Sequence, residues 1–129
     1  MEASCVLLAE PHHGIAESTR LLLATVFDAV VMVADESSLV ESADRVKPCL
    51  VIVDLTLANR DVAGLVARLK GSSPRSKVIV LSIHDERAVA RTVVDAGADG
   101  FLTKRSIGSD LIPAIEAVRR GERYIGTHS

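Results

Sequence analysis

Aromatic residues are nearly absent: Phe27, Phe101 and Tyr124 are the whole stock, and there is no tryptophan. A surface that stacks the bases of single-stranded nucleic acid is therefore not expected. The core is left to Val, Leu, Ile and Ala, the usual filling of a parallel sheet covered by helices. Cysteine is as scarce, with two residues and no metal-finger spacing, so Cys5 and Cys49 read as small core residues. Each stands five positions before an acid at an expected strand end, Glu10 and Asp54. Parallel neighbouring strands would bring the two thiols level, roughly 5 Å apart between strand axes, and a disulfide is the alternative there. No apolar run approaches the ~20 residues of a membrane span, and Met1-Glu2-Ala3-Ser4 has no signal-peptide pattern. A cytoplasmic protein with no membrane partner is the expectation. Charge of one sign is not gathered into a block, and the net charge is −2 with a pI near 6.1. That argues against direct nucleic-acid binding by this chain alone.

What is present is a chain of 129 residues, 48% hydrophobic and 25% charged, which suits one soluble globular domain with one core. Cys5 to Ala9 reads as a first buried strand, stopped by Glu10-Pro11 because proline cannot continue a central strand. Ile15, Thr19, Leu22, Leu23 and Val26 recur at helical spacing. A second apolar run, Ala29 to Ala34, precedes the helix-start residues Asp35-Glu36-Ser37-Ser38. The helix through Val40, Ala43 and Val46 ends before Pro48.

Leu50-Val51-Ile52-Val53-Asp54 is the third strand, apolar on both faces and closed by a carboxylate. Thr56 to Asp61 reads as a loop, and a helix around Val62 to Lys70 runs into Gly71-Ser72-Ser73-Pro74. Val78 to Leu81 is the fourth strand, closed by Ser82. Asp85 to Ala96 is helical, with Gly97 as its C-terminal cap. Phe101-Leu102 centres a short fifth strand followed by Lys104, and Ser109 is the expected N-cap of a last helix that stops at Gly121.

Five strands alternating with helices give an α/β fold, a doubly wound parallel sheet. Ligands in such folds sit beyond the carboxyl ends of the strands, at the switch point in strand order. Glu10, Asp54, Ser82 and Lys104 fall at the carboxyl ends of four different strands, so four polar groups converge there. An aspartate at such a rim can attack phosphorus to give an acyl phosphate. That chemistry needs a cation on the phosphoryl oxygens, a hydroxyl to bond one of them, and usually Mg²⁺ on oxygen ligands. Lys104, Ser82 and Glu10 supply the cation, the hydroxyl and a second carboxylate.

The strand-end acid Glu10, the apolar run into Asp54, Ser82 and the stretch Gly97-Ala98-Asp99-Gly100-Phe101-Leu102-Thr103-Lys104 resemble the receiver domains of two-component response regulators. Ala114 to Tyr124 is similar to the NarL/LuxR-type transcriptional branch. The resemblance spans nearly all of residues 5 to 125. It implies a flavodoxin-like sheet of order 2-1-3-4-5, with residues 1–125 as the receiver and 126–129 as the start of a linker or tail. A DNA-binding domain would follow Tyr124 in that branch, with transcription as the controlled output. The resemblance further implies that Asp54 is phosphorylated by a histidine kinase or phosphotransfer partner, and that Lys104 pairs with the phosphoryl group. Ser82 moves to bond it, and Phe101 is the aromatic that reports the state of the site. Such a domain is a signalling module rather than an enzyme, apart from its own phosphorylation and dephosphorylation. The output surface is expected at the fourth helix, fifth strand and fifth helix, including Arg87 and Arg91. A homodimer would form there or through the first and fifth helices.

The departures from the family pattern carry weight. Two adjacent acids normally follow the first strand, and here Pro11 takes the second place. Losing a unit charge roughly 5 Å from a divalent ion weakens Mg²⁺ about a hundredfold. Glu10, Asp54 and the backbone carbonyl of Thr56 remain as a weak Mg²⁺ set. Ala58-Asn59 replaces the customary Pro-Gly turn. The alternative function is a receiver-like interaction module that works without phosphorylation. His12, His13 and His84 fall at the same rim, where imidazole and carboxylate together suit zinc; polar loop histidines facing water are the plainer reading. Glu10-Pro11-His12-His13-Gly14 also has a faint likeness to the Asp-x-His-x-x-Gly motif of cobalamin-binding domains, but its acid differs and its glycine is one residue too close to His12.

Overall fold

The architecture follows from the apolar runs. In the computed structural model, which describes residues 4–58, 61–83 and 87–126, they form β1 (Cys5–Ala9), β2 (Ala29–Val33), β3 (Leu50–Asp54), β4 (Lys77–Ser82), β5 (Gly100–Thr103) and β6 (Tyr124–Gly126). The helices are α1 (His13–Leu23), α2 (Glu36–Val46), α3 (Val62–Ser72), α4 (Arg87–Asp95) and α5 (Ile107–Arg119). The sheet is parallel throughout, in the order β2-β1-β3-β4-β5-β6. No helix among the described residues is long and apolar enough to cross a membrane.

Alternate residues of the central strands feed two cores, as a doubly covered sheet requires. Leu7, Val51, Val53, Val78, Val80 and Phe101 face one way, against α2, α3 and α4. Val6, Leu8, Ile52, Ile79, Leu81 and Leu102 face the other, against α1 and α5. Both faces are sealed, so polar groups that need water or a ligand are displaced to the strand ends.

Several expectations are corrected. The sheet has six strands, not five, because Tyr124–Gly126 pairs with the open edge of β5. Helix α5 is capped at Ser106 rather than Ser109: the 3₁₀ turn Lys104–Ser106 runs directly into it. Ser109 lies one turn inside, where its hydroxyl donates to the Ser106 carbonyl (3.3 Å). The expected loop after Asp54 begins as a 3₁₀ turn, Leu55–Ala58, and α3 continues through Gly71 to Ser72. The α1 pattern stops at Leu23, leaving Val26 in the following turn. Cys49 is exposed and Cys5 half-buried, both as free thiols. They sit at the amino ends of the strands, outside the core layers, where the Cys49 thiol donates to the Cys5 carbonyl (3.1 Å).

Other signals hold. Asp35 caps α2 by accepting from the Ser38 N–H (2.8 Å). Gly97, at φ +113°, ends α4 in a Schellman arrangement: its N–H reaches the Val94 carbonyl and the Ala98 N–H reaches Val93. The start of the helix expected from Asp85, and His84 with it, lie outside the described residues.

Candidate functional site

The register places the candidate residues at one rim. Ala9 pairs with Val53, so Glu10 and Asp54 follow as neighbours at the carboxyl ends of β1 and β3. Asp54 pairs with Leu81 across to β4, and Ser82, one residue further, ends that strand beside Thr103 of β5. Lys104 is the next residue. Proline at position 11 ends β1 and turns the chain into α1, bringing His12 back over the rim.

The resulting cluster is buried and charged. The side chains of Glu10, Asp54 and Lys104 are 0%, 1% and 5% exposed. Lys104 Nζ donates to Asp54 Oδ2 at 2.8 Å, across 50 residues of sequence, and lies 2.7 Å from Glu10 Oε1. That second contact is an ion pair without hydrogen-bond alignment, so Glu10 Oε1 is buried with no hydrogen bond. Thr56 completes the cradle: its hydroxyl donates to Asp54 Oδ2 (2.9 Å) and its N–H to Oδ1 (3.3 Å). His12 approaches from the solvent side. Its N–H donates to Glu10 Oε2 (3.2 Å), and its Nδ1 lies 3.0 Å from that oxygen, 3.3 Å from Lys104 Nζ and 3.6 Å from Asp54 Oδ2.

Burial by itself raises the pKa of Asp54, but the bonds from Lys104 and Thr56 outweigh it and hold the carboxyl below its ordinary value. For Lys104 burial favours the neutral amine, and the two carboxylates overcome it, raising the ammonium above its usual pKa. Asp54 is thus ionised at neutral pH, as a nucleophile toward phosphorus must be.

The structure brings Glu10, Asp54 and Lys104 into contact. Ser82 is buried at the adjacent strand end. Phe101 is fully buried in the core between the sheet and the α2–α3–α4 layer. His13 is exposed and does not join the cluster of Glu10, His12 and Asp54, whose ligand atoms lie within 4.8 Å of one another. The side chain of Thr56 was not foreseen in the sequence, where only its carbonyl had a role. Its signal is the Asp-x-Thr spacing, which lets a strand-end aspartate accept bonds from the residue two positions on.

The family model of the response regulator receiver domain matches residues 6–116. The chain belongs to that family. Curated relatives of this receiver include the transcriptional regulatory protein DegU of Brevibacillus brevis, 28% identical over 93% of this chain and 52% of that protein. The response regulator UvrY of Escherichia coli strain K12 is 30% identical over 95% and 57%. A putative transcriptional regulator of Pseudomonas aeruginosa is 33% identical over 96% and 60%. The receiver therefore spans between half and three-fifths of the relatives it matches. Among solved structures, a LuxR-family two-component response regulator from Aurantimonas sp. SI85-9A1 superposes with a TM-score of 0.84 at 25% identity, covering 95% of this chain and 89% of that one. The isolated receiver domain of RcsB from Salmonella enterica serovar Typhimurium shares the fold, with a TM-score of 0.82 at 23% identity over 95% and 92%. The receiver's likeness is thus to the NarL/LuxR branch.

Proposed function

We propose that the chain is the phosphoacceptor module of a transcriptional response regulator, taking a phosphoryl group on Asp54 from a histidine kinase or phosphotransfer protein. A carboxylate oxygen of Asp54 forms the new O–P bond while the P–N bond of a phosphohistidine breaks. The leaving imidazole takes the electron pair and then a proton. Oδ1 suits attack best, since among the described residues it accepts only the long bond from the Thr56 N–H. Lys104 faces the charge that develops on the phosphoryl oxygens, and the Ser82 hydroxyl bonds one of them. The observation that carries the reading is the 2.8 Å bond from Lys104 to Asp54, because it joins a buried cation to the one carboxylate that ends the central strand.

Receiver domains typically bind Mg²⁺ at an acidic site. Glu10, Asp54 and the Thr56 carbonyl are the residues here that would hold it, and they fit it poorly. Pro11 offers no side-chain oxygen, Lys104 engages both carboxylates, and the third nearby donor is the nitrogen of His12. Mg²⁺ demands near-octahedral oxygen ligands. Charge neutralisation therefore rests on Lys104. The same features favour a second reading, an interaction module that works without phosphorylation.

Intact-mass measurement after acetyl phosphate treatment separates the two. Phosphoryl acceptance predicts a single adduct of about 80 Da, the mass of one added PO₃H unit, in the wild type and none in Asp54→Asn, with weak dependence on Mg²⁺. Absence of an adduct at high Mg²⁺ assigns the chain to the interaction module. Output in either case is read at α4, β5 and α5, including Arg87 and Arg91, with a second copy of the chain binding there or at α1 and α5.

A further inference from the structure

The opposite end of the sheet carries chemistry that phosphoryl acceptance does not use. Val6 pairs with Leu50, so Cys5 and Cys49, one residue before each, stand opposite one another where β1 and β3 begin. The Cys49 N–H (3.0 Å) and thiol (3.1 Å) both donate to the Cys5 carbonyl. Leu7 and Val51, two residues on, face the α2–α3–α4 layer, and the period of two in a strand turns both thiols to that same side. The two groups interact: burial raises the Cys5 pKa, and the charge of a Cys49 thiolate raises it further. Neighbouring strands are roughly 4.8 Å apart, inside the roughly 4.4–6.8 Å between Cα atoms that a disulfide spans. We propose that Cys5 and Cys49 form a reversible oxidation site, closed to a disulfide by peroxide.

Exposure orders the two thiols. Cys49 is exposed and Cys5 half-buried, and the raised pKa of Cys5 keeps it a thiol at neutral pH. Cys49 therefore meets the oxidant first. Its thiolate attacks one peroxide oxygen; the S–O bond forms as the O–O bond breaks, and the departing hydroxide takes a proton and leaves as water. Cys5 then gives up its proton and attacks the Cys49 sulfur, forming the S–S bond and expelling the sulfenic oxygen as a second water. Two thiols are oxidised and one peroxide is reduced. Response regulators are typically cytoplasmic, where disulfides are transient and redox-sensing rather than structural, so a small thiol reopens the pair. The bridge ties the two strands that carry Glu10 and Asp54, but roughly 16 Å below that rim, at about 3.3 Å for each residue of strand. It needs no phosphodonor and is tested without one.

Reduced protein is treated with hydrogen peroxide and followed by intact mass and thiol alkylation. The expected product is a monomer lighter by about 2 Da, the two hydrogens lost on closing one disulfide. It has no thiol open to alkylation, and dithiothreitol returns both. Cys5→Ser removes the second thiol and is expected to hold a sulfenic acid on Cys49 that dimedone traps. Cys49→Ser is expected to give no such adduct, because the half-buried thiol of Cys5 is left alone. Asp54→Asn is expected to close the same bridge as the wild type, which separates this site from phosphoryl acceptance. A disulfide-linked dimer, oxidation of the wild type to a sulfinic acid without the loss of about 2 Da, or two thiols still open to alkylation would each overturn the pairing. A dimedone adduct on Cys5 in Cys49→Ser would overturn the order of attack.

Discussion

Lys104 is the side chain on which the rim depends, because it is the buried cation between two buried carboxylates. Removing one partner of a buried ion pair costs about 3–5 kcal/mol, mostly through the charge left behind. Lys104→Met is therefore expected to lower stability by about that much in urea unfolding at pH 7. Asp54→Asn is expected to cost less than half as much, since the Glu10–Lys104 contact survives. The pH dependence follows from the direction of each shift. Asp54 is held below its unfolded pKa of about 3.9, so its contribution is present above that pH and is lost as pH falls through the folded value. Lys104 is held above its unfolded value of about 10.4, so its contribution is complete below that pH and is lost as pH rises through the folded value. The stability gap between wild type and Asp54→Asn is therefore expected to be flat from about pH 5 to 9 and to close below about pH 4. A gap that grew toward acid pH would contradict the ion-pair account. At this scale Glu10, Asp54 and Lys104 were legible in the sequence, because a charged residue ending an apolar run has nowhere to go but the rim. The role of the Thr56 hydroxyl was not, because it depends on how the turn after β3 folds back; His12 was expected at this rim, but its contact with Glu10 is set by the turn through Pro11.

The same contrast holds for whole elements. Strands β1 to β5 announce themselves as β-branched and apolar runs, and Asp35 and Gly97 mark helix ends by their local chemistry. Strand β6 does not, since three residues carry no usable alternation and its existence is decided by the edge it covers. The edge of β5 would otherwise present unpaired backbone groups. Tyr124 fastens the strand, with its hydroxyl bonded to Asp110 of α5 and its pKa raised by burial and by that carboxylate. Gly126 fits because it lacks a side chain: a Cβ there would lie 3.0 Å from both Leu102 Cδ2 and Asp110 Oδ2. Gly126→Val is thus expected to detach the end of β6 without unfolding the sheet. Hydrogen exchange should show the amides of Tyr124–Gly126 at least about tenfold less protected, a local opening of about 1.4 kcal/mol or more, with β3 and β4 unchanged. Unaltered protection would mean that Leu102 and Asp110 yield to the new side chain.

Over the whole molecule, β5 joins the charged rim to the expected output face. Its carboxyl end leads into Lys104, its centre holds Phe101 in the core, and its two sides pair with β4 and β6. A phosphoryl group on Asp54 adds roughly two negative charges at the end of β3. The partner that must respond is Lys104, and any shift of Lys104 is carried into a strand whose large buried side chain packs in the core beside α4. Close-packed interiors do not deform continuously, so the response is a change between discrete packings. Hydrogen exchange after acetyl phosphate treatment is expected to change over Arg87–Asp95 and Gly100–Ser106 in the wild type and not in Asp54→Asn. Phe101→Leu is expected to accept the phosphoryl group and to blunt the change at α4, because the smaller side chain transmits less of the β5 displacement. A response confined to residues 50–58 in phosphorylated protein would separate acceptance from output, and would place the switch outside the α4–β5–α5 face.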